Sequence, residues 1–279
     1  MILFNKIVII GTGLIGGSLG LALKKQHLAG SVIGLSRQRK NSKLAKKIGA
    51  IDSIGSSLEV VADADLVILA TPIDVIIDLA GRISNKLKKG CIVIDVGSSK
   101  ERIVSKISAL IPNFLGCHPL AGSEKSGIVN LQDGIFKGSI CIITPTVKTT
   151  PSTLNKVKLL WKKLGADIVI LSAKKHDQAL AFTSHLPHAL AFSLISAIPA
   201  KFLNISSGSL KDTTRISGSD ELLWSQIFLS NRKNLLNAVS SFQTKLAELK
   251  LALKKKDVKS LTRILISAKE KRKRLLEIQ

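Results

Sequence analysis

Apolar residues fall along this chain in two different rhythms. In the first part, short unbroken runs, KIVII (6–10), SVIGL (31–35), DLVILA (65–70) and CIVIDV (91–96), alternate with longer stretches. Those stretches, LIGGSLGLALKKQ, NSKLAKKIG, PIDVIIDLAGRISNKL and SKERIVSKISAL, carry their apolar residues at helical spacing. Runs this short and this rich in β-branched residues read as strands buried on both faces, and their alternation with helices predicts a parallel sheet covered on both sides. GSICIITP (138–145) and DIVIL (167–171) extend that sheet, with a helix, STLNKVKLLWKKLG, between them. After residue 172 the rhythm changes. From AKKHDQALAFTSHLPHALAFSLISAI onward every apolar pattern is helical, NISSGSLKDTTRISGSD (204–220) reads as a polar connection, and the last sixty residues read as two long helices. The expected fold class is therefore α/β, a doubly wound sheet domain over 1–172 followed by an all-helical domain over 173–279.

Composition narrows the classes of function. The 279 residues are 45% hydrophobic, enough for a substantial core, and carry a formal charge of +23. Such a charge raises the question of nucleic acid, membrane surface or a small anionic ligand. From residue 250 onward eleven basic residues face three acidic ones on a stretch that reads as helix. With aromatic residues at only 4% and no recognition motif, a solvated helical face is favoured over nucleic-acid binding. Cys91, Cys117 and Cys141 are odd in number and lack C-x-x-C spacing, which indicates neither a disulfide framework nor a cysteine zinc site and fits a reducing cytoplasm. MILFNKIVIIGTG has no basic n-region and reads as a first strand, and no apolar stretch is long enough to span a bilayer.

GTGLIGGS places Gly11, Gly13 and Gly16 as G-x-G-x-x-G between the first strand and the first helix, with Leu14 and Ile15 in the same turn. In that context Gly11 permits the tight turn, Gly13 lets backbone approach a pyrophosphate, Gly16 allows close packing, and the helix N-terminus favours negative charge. The second strand then ends near the adenosine ribose, where an NAD site would carry an acid. VIGLSRQRKN has none; Ser36 and Arg37 stand there, a hydroxyl donor and a charged planar fork suited to a 2′-phosphate. The cofactor expected is NADP, with NAD as the alternative, and a solvated basic loop is the competing reading of the stretch. Asp52 and Asp65 are too far along the chain to replace the missing acid.

Three more stretches bear chemistry. DVGSSK (95–100) lies at the C-terminal end of a strand, where open α/β sheets bind ligands. GCHPLAGSEKSG (116–127) puts His118 in an expected loop, and SHLPH (184–188) puts His185 and His188 three apart at the start of a helical stretch. A pair of that spacing without a carboxylate is a poor zinc signature, so no metal is expected.

In order and spacing, GTGLIGGS, DVGSSK, HPLAGSEKSG, SHLPHA and KDTTRI resemble the prephenate and arogenate dehydrogenases of tyrosine biosynthesis, over nearly the whole chain. The resemblance implies a Rossmann domain followed by a helical dimerisation domain, a homodimer, and a small anionic substrate. It implies that His118 is the catalytic histidine and that Ser98 orients it and the substrate hydroxyl. It further implies that His185 and His188 are active-site histidines, that Arg215 binds a substrate carboxylate with Lys211 nearby, and that Glu124 lies at the cleft mouth. Ser36 and Arg37 resemble the NADP-using, arogenate-type branch, whereas the second histidine of SHLPH resembles prephenate-using members. Two other readings stand beside this one: an NADP-dependent reductase of the imine or 3-hydroxy-acid type, and a basic binding module in which the glycine turn only senses nucleotide.

Overall fold

The computed structural model describes residues 2–122 and 127–277, which fall into two compact units, Met1–Arg232 and Lys233–Gln279. The first contains one sheet of eight strands: β1 (Phe4–Ile10), β2 (Ala29–Leu35), β3 (Ser53–Ile54), β4 (Leu66–Leu69), β5 (Ile92–Asp95), β6 (Phe114–Pro119), β7 (Ile140–Thr144) and β8 (Asp167–Ile170). They lie in the order β3-β2-β1-β4-β5-β6-β7-β8. The six expected runs all form strands. Two strands were not anticipated, β3 and β6, and the second changes the expectation for His118, which stands in a strand and not in a loop.

The sheet is parallel as expected but for one pair, since β6 and β7 run antiparallel. A parallel neighbour requires a crossover, usually a helix. Between β6 and β7 the described residues offer only a single 3-10 turn at Ile128–Asn130.

Helices α1 (Leu14–Lys25), α2 (Arg39–Lys47), α3 (Ile73–Ile83), α4 (Glu101–Leu110) and α5 (Pro151–Lys163) cover the sheet. Leu19 and Leu23 of α1, Ala45 of α2, and Val157 and Leu160 of α5 share one buried cluster. Ile76 and Leu79 of α3 and Ile103, Val104 and Ile107 of α4 belong to a second. Between the two layers the four residues of β4, LVIL, are wholly buried. Burying each such side chain contributes about 1.5–3 kcal/mol. Helix α5 starts sharply because Thr150 accepts the Thr153 N–H at 3.2 Å and Pro151 follows it.

After β8 the chain is helical, as its rhythm predicts: α6 (Ala173–Leu180), a π turn over Ala181–His185, α7 (Leu186–Ala197), α8 (Gly208–Thr214) and α9 (Glu221–Ser230). The polar stretch 204–220 is largely not the connection expected, since it holds α8 and a 3-10 turn at Arg215–Gly218. Its hydroxyls bond back along the helix, Thr213 to Ser209 O at 2.8 Å and Thr214 to Leu210 O at 2.7 Å, and so do not compete with it.

The two long terminal helices expected are α10 (Arg232–Lys254) and α11 (Val258–Glu277), with α9 as a shorter third within the last sixty residues. In the second unit Leu236, Leu246, Leu265 and Ile266 are more than half exposed. No described helix is long and apolar enough to cross a membrane.

Candidate active site

Strand registers bring the motifs to one edge. Ile10 of β1 pairs with Leu69 of β4, Leu69 with Asp95 of β5, and Asp95 with Gly116 of β6. The glycine turn, Ala70–Thr71, the DVGSSK turn and His118 therefore follow one another along the C-terminal edge. Strand order reverses between β1 and β4, the place where open α/β sheets bind ligands. Three strand spacings separate β1 from β6, about 14–15 Å, a span that an extended dinucleotide covers.

At one end of that edge Gly11 has φ +106°, and a Cβ there would lie 2.3 Å from Ala70 O. A Cβ on Gly16 would lie 1.9 Å from Gly11 O, so the first turn of α1 packs against the loop only as glycine. Around Gly13, by contrast, a Cβ would meet nothing within 4 Å. Gly13 caps α1 without a side-chain hydrogen bond, and no acid occupies the first turn. This is an open, positively polarised cradle, and it fits a pyrophosphate. Leu14 is buried and Ile15 packs against the core, so these two would contact a ligand through backbone.

The Gly11 N–H donates to Leu35 O at 2.8 Å, which ties the turn to the end of β2. Ser36 and Arg37 follow at once, the first half-buried, the second exposed. Arg39 and Lys40, expected in the same loop, open helix α2 instead. The acids that might have replaced the missing one are engaged elsewhere. Asp52 accepts the Val32 N–H, and Asp65 accepts those of Asn5 and Lys6 at the far end of the sheet.

Further along the edge, Ser98 is half-buried in the turn between β5 and α4. Two residues on, Lys100 is wholly buried and its ammonium is paired with the equally buried Asp95 carboxylate. Burial pushes the Asp95 carboxyl up, and Lys100 opposes the shift. Among the described residues Thr71 Oγ1, Asp95 Oδ1 and Ser99 Oγ are buried without a hydrogen-bond partner, so this edge holds polar atoms for a ligand to satisfy.

His118 lies beside this pair, buried at the end of β6. Its Nδ1 is 2.8 Å from His176 Nε2, and His176 Nδ1 is 2.7 Å from Asp177 Oδ1. Asp177 Oδ1 also accepts the Lys100 N–H at 2.7 Å and Oδ2 the Glu101 N–H at 2.9 Å, so the carboxylate caps α4 from another helix. Burial, then the neighbouring His176, Lys100 and His185, hold His118 well below the usual histidine value. It is neutral at physiological pH.

The SHLPH pair straddles a junction inside one helical run, 173–197, and does not begin it. Pro187 lacks an N–H, and its ring crowds the preceding turn; the wider π turn just before it relieves the conflict. His185 is buried, and burial pulls its pKa down to about 4. His188 stacks on Trp224, with centroids 3.5 Å apart and planes at 19°, and its Nδ1 lies 2.9 Å from Ser184 O. Burial lowers its pKa, the Ser184 carbonyl opposes this and the Arg215 charge lowers it further; the turn that begins at Arg215 packs against α7, which carries His188. Lys211 is exposed one helical turn earlier. Glu124 lies outside the described residues.

Residues the sequence did not single out complete the site. They are Asp95, Lys100, His176, Asp177, Trp224 and Asn231. Trp224 offered a faint signal, as one of only two tryptophans in the chain. All three cysteines are buried and free.

The family model for the prephenate dehydrogenase nucleotide-binding domain matches residues 19–170, and the model for the prephenate dehydrogenase dimerization domain matches 172–267. The prephenate dehydrogenase of Lactococcus lactis subsp. cremoris is 35% identical over 264 residues, covering 91% of this chain and 72% of that protein. The crystal structure of prephenate dehydrogenase from A. aeolicus, in complex with hydroxyphenyl propionate and NAD+, superposes with a TM-score of 0.91 at 32% identity, covering 99% of this chain and 98% of that one. Synechocystis arogenate dehydrogenase gives a TM-score of 0.85 at 29% identity, over 97% and 99% of the two chains.

Proposed function

The chain belongs to the prephenate dehydrogenase family, and we propose that it removes a hydride and CO2 from prephenate or arogenate, with NADP as the hydride acceptor. It is an oxidoreductase of tyrosine biosynthesis. The observation that carries the mechanism is His118: a buried, neutral imidazole on the same sheet edge as the glycine cradle.

The substrate is a cyclohexadiene with a hydroxyl on C4 and a carboxylate on C1. A nicotinamide dinucleotide held at the glycine turn would supply the acceptor for the C4 hydride. His118 takes the hydroxyl proton as C4 becomes trigonal, a task suited to an imidazole that is neutral at working pH. The C1–carboxylate bond then breaks, CO2 leaves, and its electron pair enters the ring to complete aromaticity. Ser98, in the adjoining turn, orients the hydroxyl and His118.

Arg215, at the start of a turn packed against the helix of His188, binds a substrate carboxylate through a charge-assisted pair, with Lys211 one helical turn earlier. His185 and His188 line the substrate side. Residues 1–172 hold the cofactor through Gly11, Gly13, Leu14, Ile15, Gly16, Ser36 and Arg37, and 173–279 serve the substrate and a homodimer. The exposed apolar residues of α10 and α11 support that dimer. Initial rates with prephenate and arogenate, each with NAD and NADP, test the proposal; no turnover of either substrate would refute it.

A further inference from the structure

Hydrogen-bond geometry around Asp177 determines which nitrogen of His118, His176 and His185 carries a proton. Asp177 accepts the backbone N–H groups of Lys100 and Glu101 at the start of α4. A carboxylate serving as acceptor to two N–H donors is ionised, so it also accepts from His176 Nδ1. Neutral His176 then has a bare Nε2. The His118 nitrogen 2.8 Å away must be the donor, Nδ1–H.

The main chain of the same residue sets a second histidine. Asn231 Nδ2 donates to Asp177 O at 2.7 Å, which orients the amide, and its other proton points to His185 Nδ1 at 3.1 Å. His185 Nδ1 is therefore an acceptor, and its proton is on Nε2.

We propose that Asp177 is the positioning residue of this site, holding His118 as the Nδ1–H tautomer through its carboxylate and His176, and His185 as the opposite tautomer through its carbonyl and Asn231. The proposal rests on His118 being the proton acceptor. His118 then presents Nε2 as a lone pair and His185 presents Nε2 as a donor, so one acceptor and one donor are set in advance of substrate. When the hydroxyl proton moves to His118 Nε2, Nδ1–H keeps its bond to His176, and the ionised Asp177 one ring away stabilises the imidazolium. No proton needs to reach Asp177.

With only five histidines in the chain, the test is direct. Long-range 1H–15N correlation spectra of the NADP-saturated protein, ring-labelled at histidine and recorded at pH 8, should show His118, His176 and His188 as Nδ1–H and His185 as Nε2–H. Nε2–H is the form that neutral imidazole favours in water, so three Nδ1–H rings are a distinctive signature. Asp177→Ala, which leaves His176 Nδ1 without its acceptor, should release His176 and then His118 to Nε2–H. Its kcat should fall by about 10²- to 10⁴-fold, as for loss of a positioned base, while the NADP Kd holds. His176→Gln, whose carbonyl can still accept from His118, should recover much of the rate that His176→Leu loses.

A His118 that carries its proton on Nε2 in the unmutated protein overturns the inference, whether or not Asp177→Ala folds. So does an Asp177→Ala protein that keeps the original tautomers. Failure to turn over prephenate or arogenate would instead strike the proposed function and leave the tautomers as measured.

Discussion

Replacing Lys100 by Met should destabilise the protein by about 3–5 kcal/mol at pH 7, the usual loss when one member of a buried ion pair is removed. Lys100 and Asp95 are both wholly buried, and Met nearly matches Lys in volume, so little of the loss comes from a cavity. A second route gives the same size. The stranded Asp95 would take up a proton, and holding a carboxyl of ordinary value 3.8 neutral at pH 7 costs about 1.4 kcal/mol per pH unit, or about 4 kcal/mol. At pH 5 the same arithmetic leaves about 1.6 kcal/mol.

The sign follows from linkage. In the variant the folded pKa of Asp95 is raised above its unfolded value. Its contribution is therefore fully present below the unfolded value near 3.8 and is lost as pH rises toward the folded one. Urea unfolding at pH 5, 6 and 7 reads this through fluorescence, since Trp161 and Trp224 both lie in the first compact unit. The double variant Asp95→Asn with Lys100→Met should regain much of the loss. A penalty under about 1 kcal/mol at pH 7, or one that does not shrink toward pH 5, would refute this account of the pair.

Five further outcomes are expected. His118→Asn should lower kcat by about 10²- to 10⁴-fold with NADP binding intact, and near-normal turnover would move the proton acceptor to His185 or His188. In the unmutated enzyme kcat/KM should stay level from pH 8 down past 6.5 and fall only well below it, because burial and neighbouring charges hold His118 down; a midpoint above 6.5 contradicts that environment. Arg215→Ala should raise KM by about one to two orders of magnitude, from about 1.5–3 kcal/mol of lost charged pairing, and an unchanged KM would transfer the carboxylate to Lys211. Arg37→Asp should turn a preference for NADP into one for NAD, and dissociation constants that already favour NAD before mutation would rule out the 2′-phosphate pocket. Sedimentation as a 29.9 kDa monomer at micromolar concentration would remove the homodimer.

How much of this was legible in the sequence depends on where the determining contacts lie. Strands such as LVIL of β4 declare themselves because burial on both faces demands an unbroken apolar run. FLGCHP of β6 has no β-branched residue and contains both Gly and Pro; its pairing with β5 and β7 makes it a strand, and that is information held by its neighbours. The glycine turn was readable because Gly11 and Gly16 answer local steric demands and Gly13 leaves the helix end open. His176 and Asp177 were not, since KKHDQ looks like the solvated face of a basic helix until α4 docks its N-terminus onto the carboxylate. Arg215 was identified by its motif, but helix α8, which ends just before it, was hidden by the Ser and Thr residues around it.

The π turn at Ala181–His185 also bears on how such a site could change over generations. A π turn is an α-helix with one residue inserted, and each residue of an α-helix turns the chain by about 100°. The wider turn takes up the extra residue, so the helix beyond it runs on as an ordinary one and only residues within the turn, His185 last among them, are displaced from α-helical positions. An insertion or deletion confined to this turn is thus a single-step route to a different pocket lining over an unchanged nucleotide cradle.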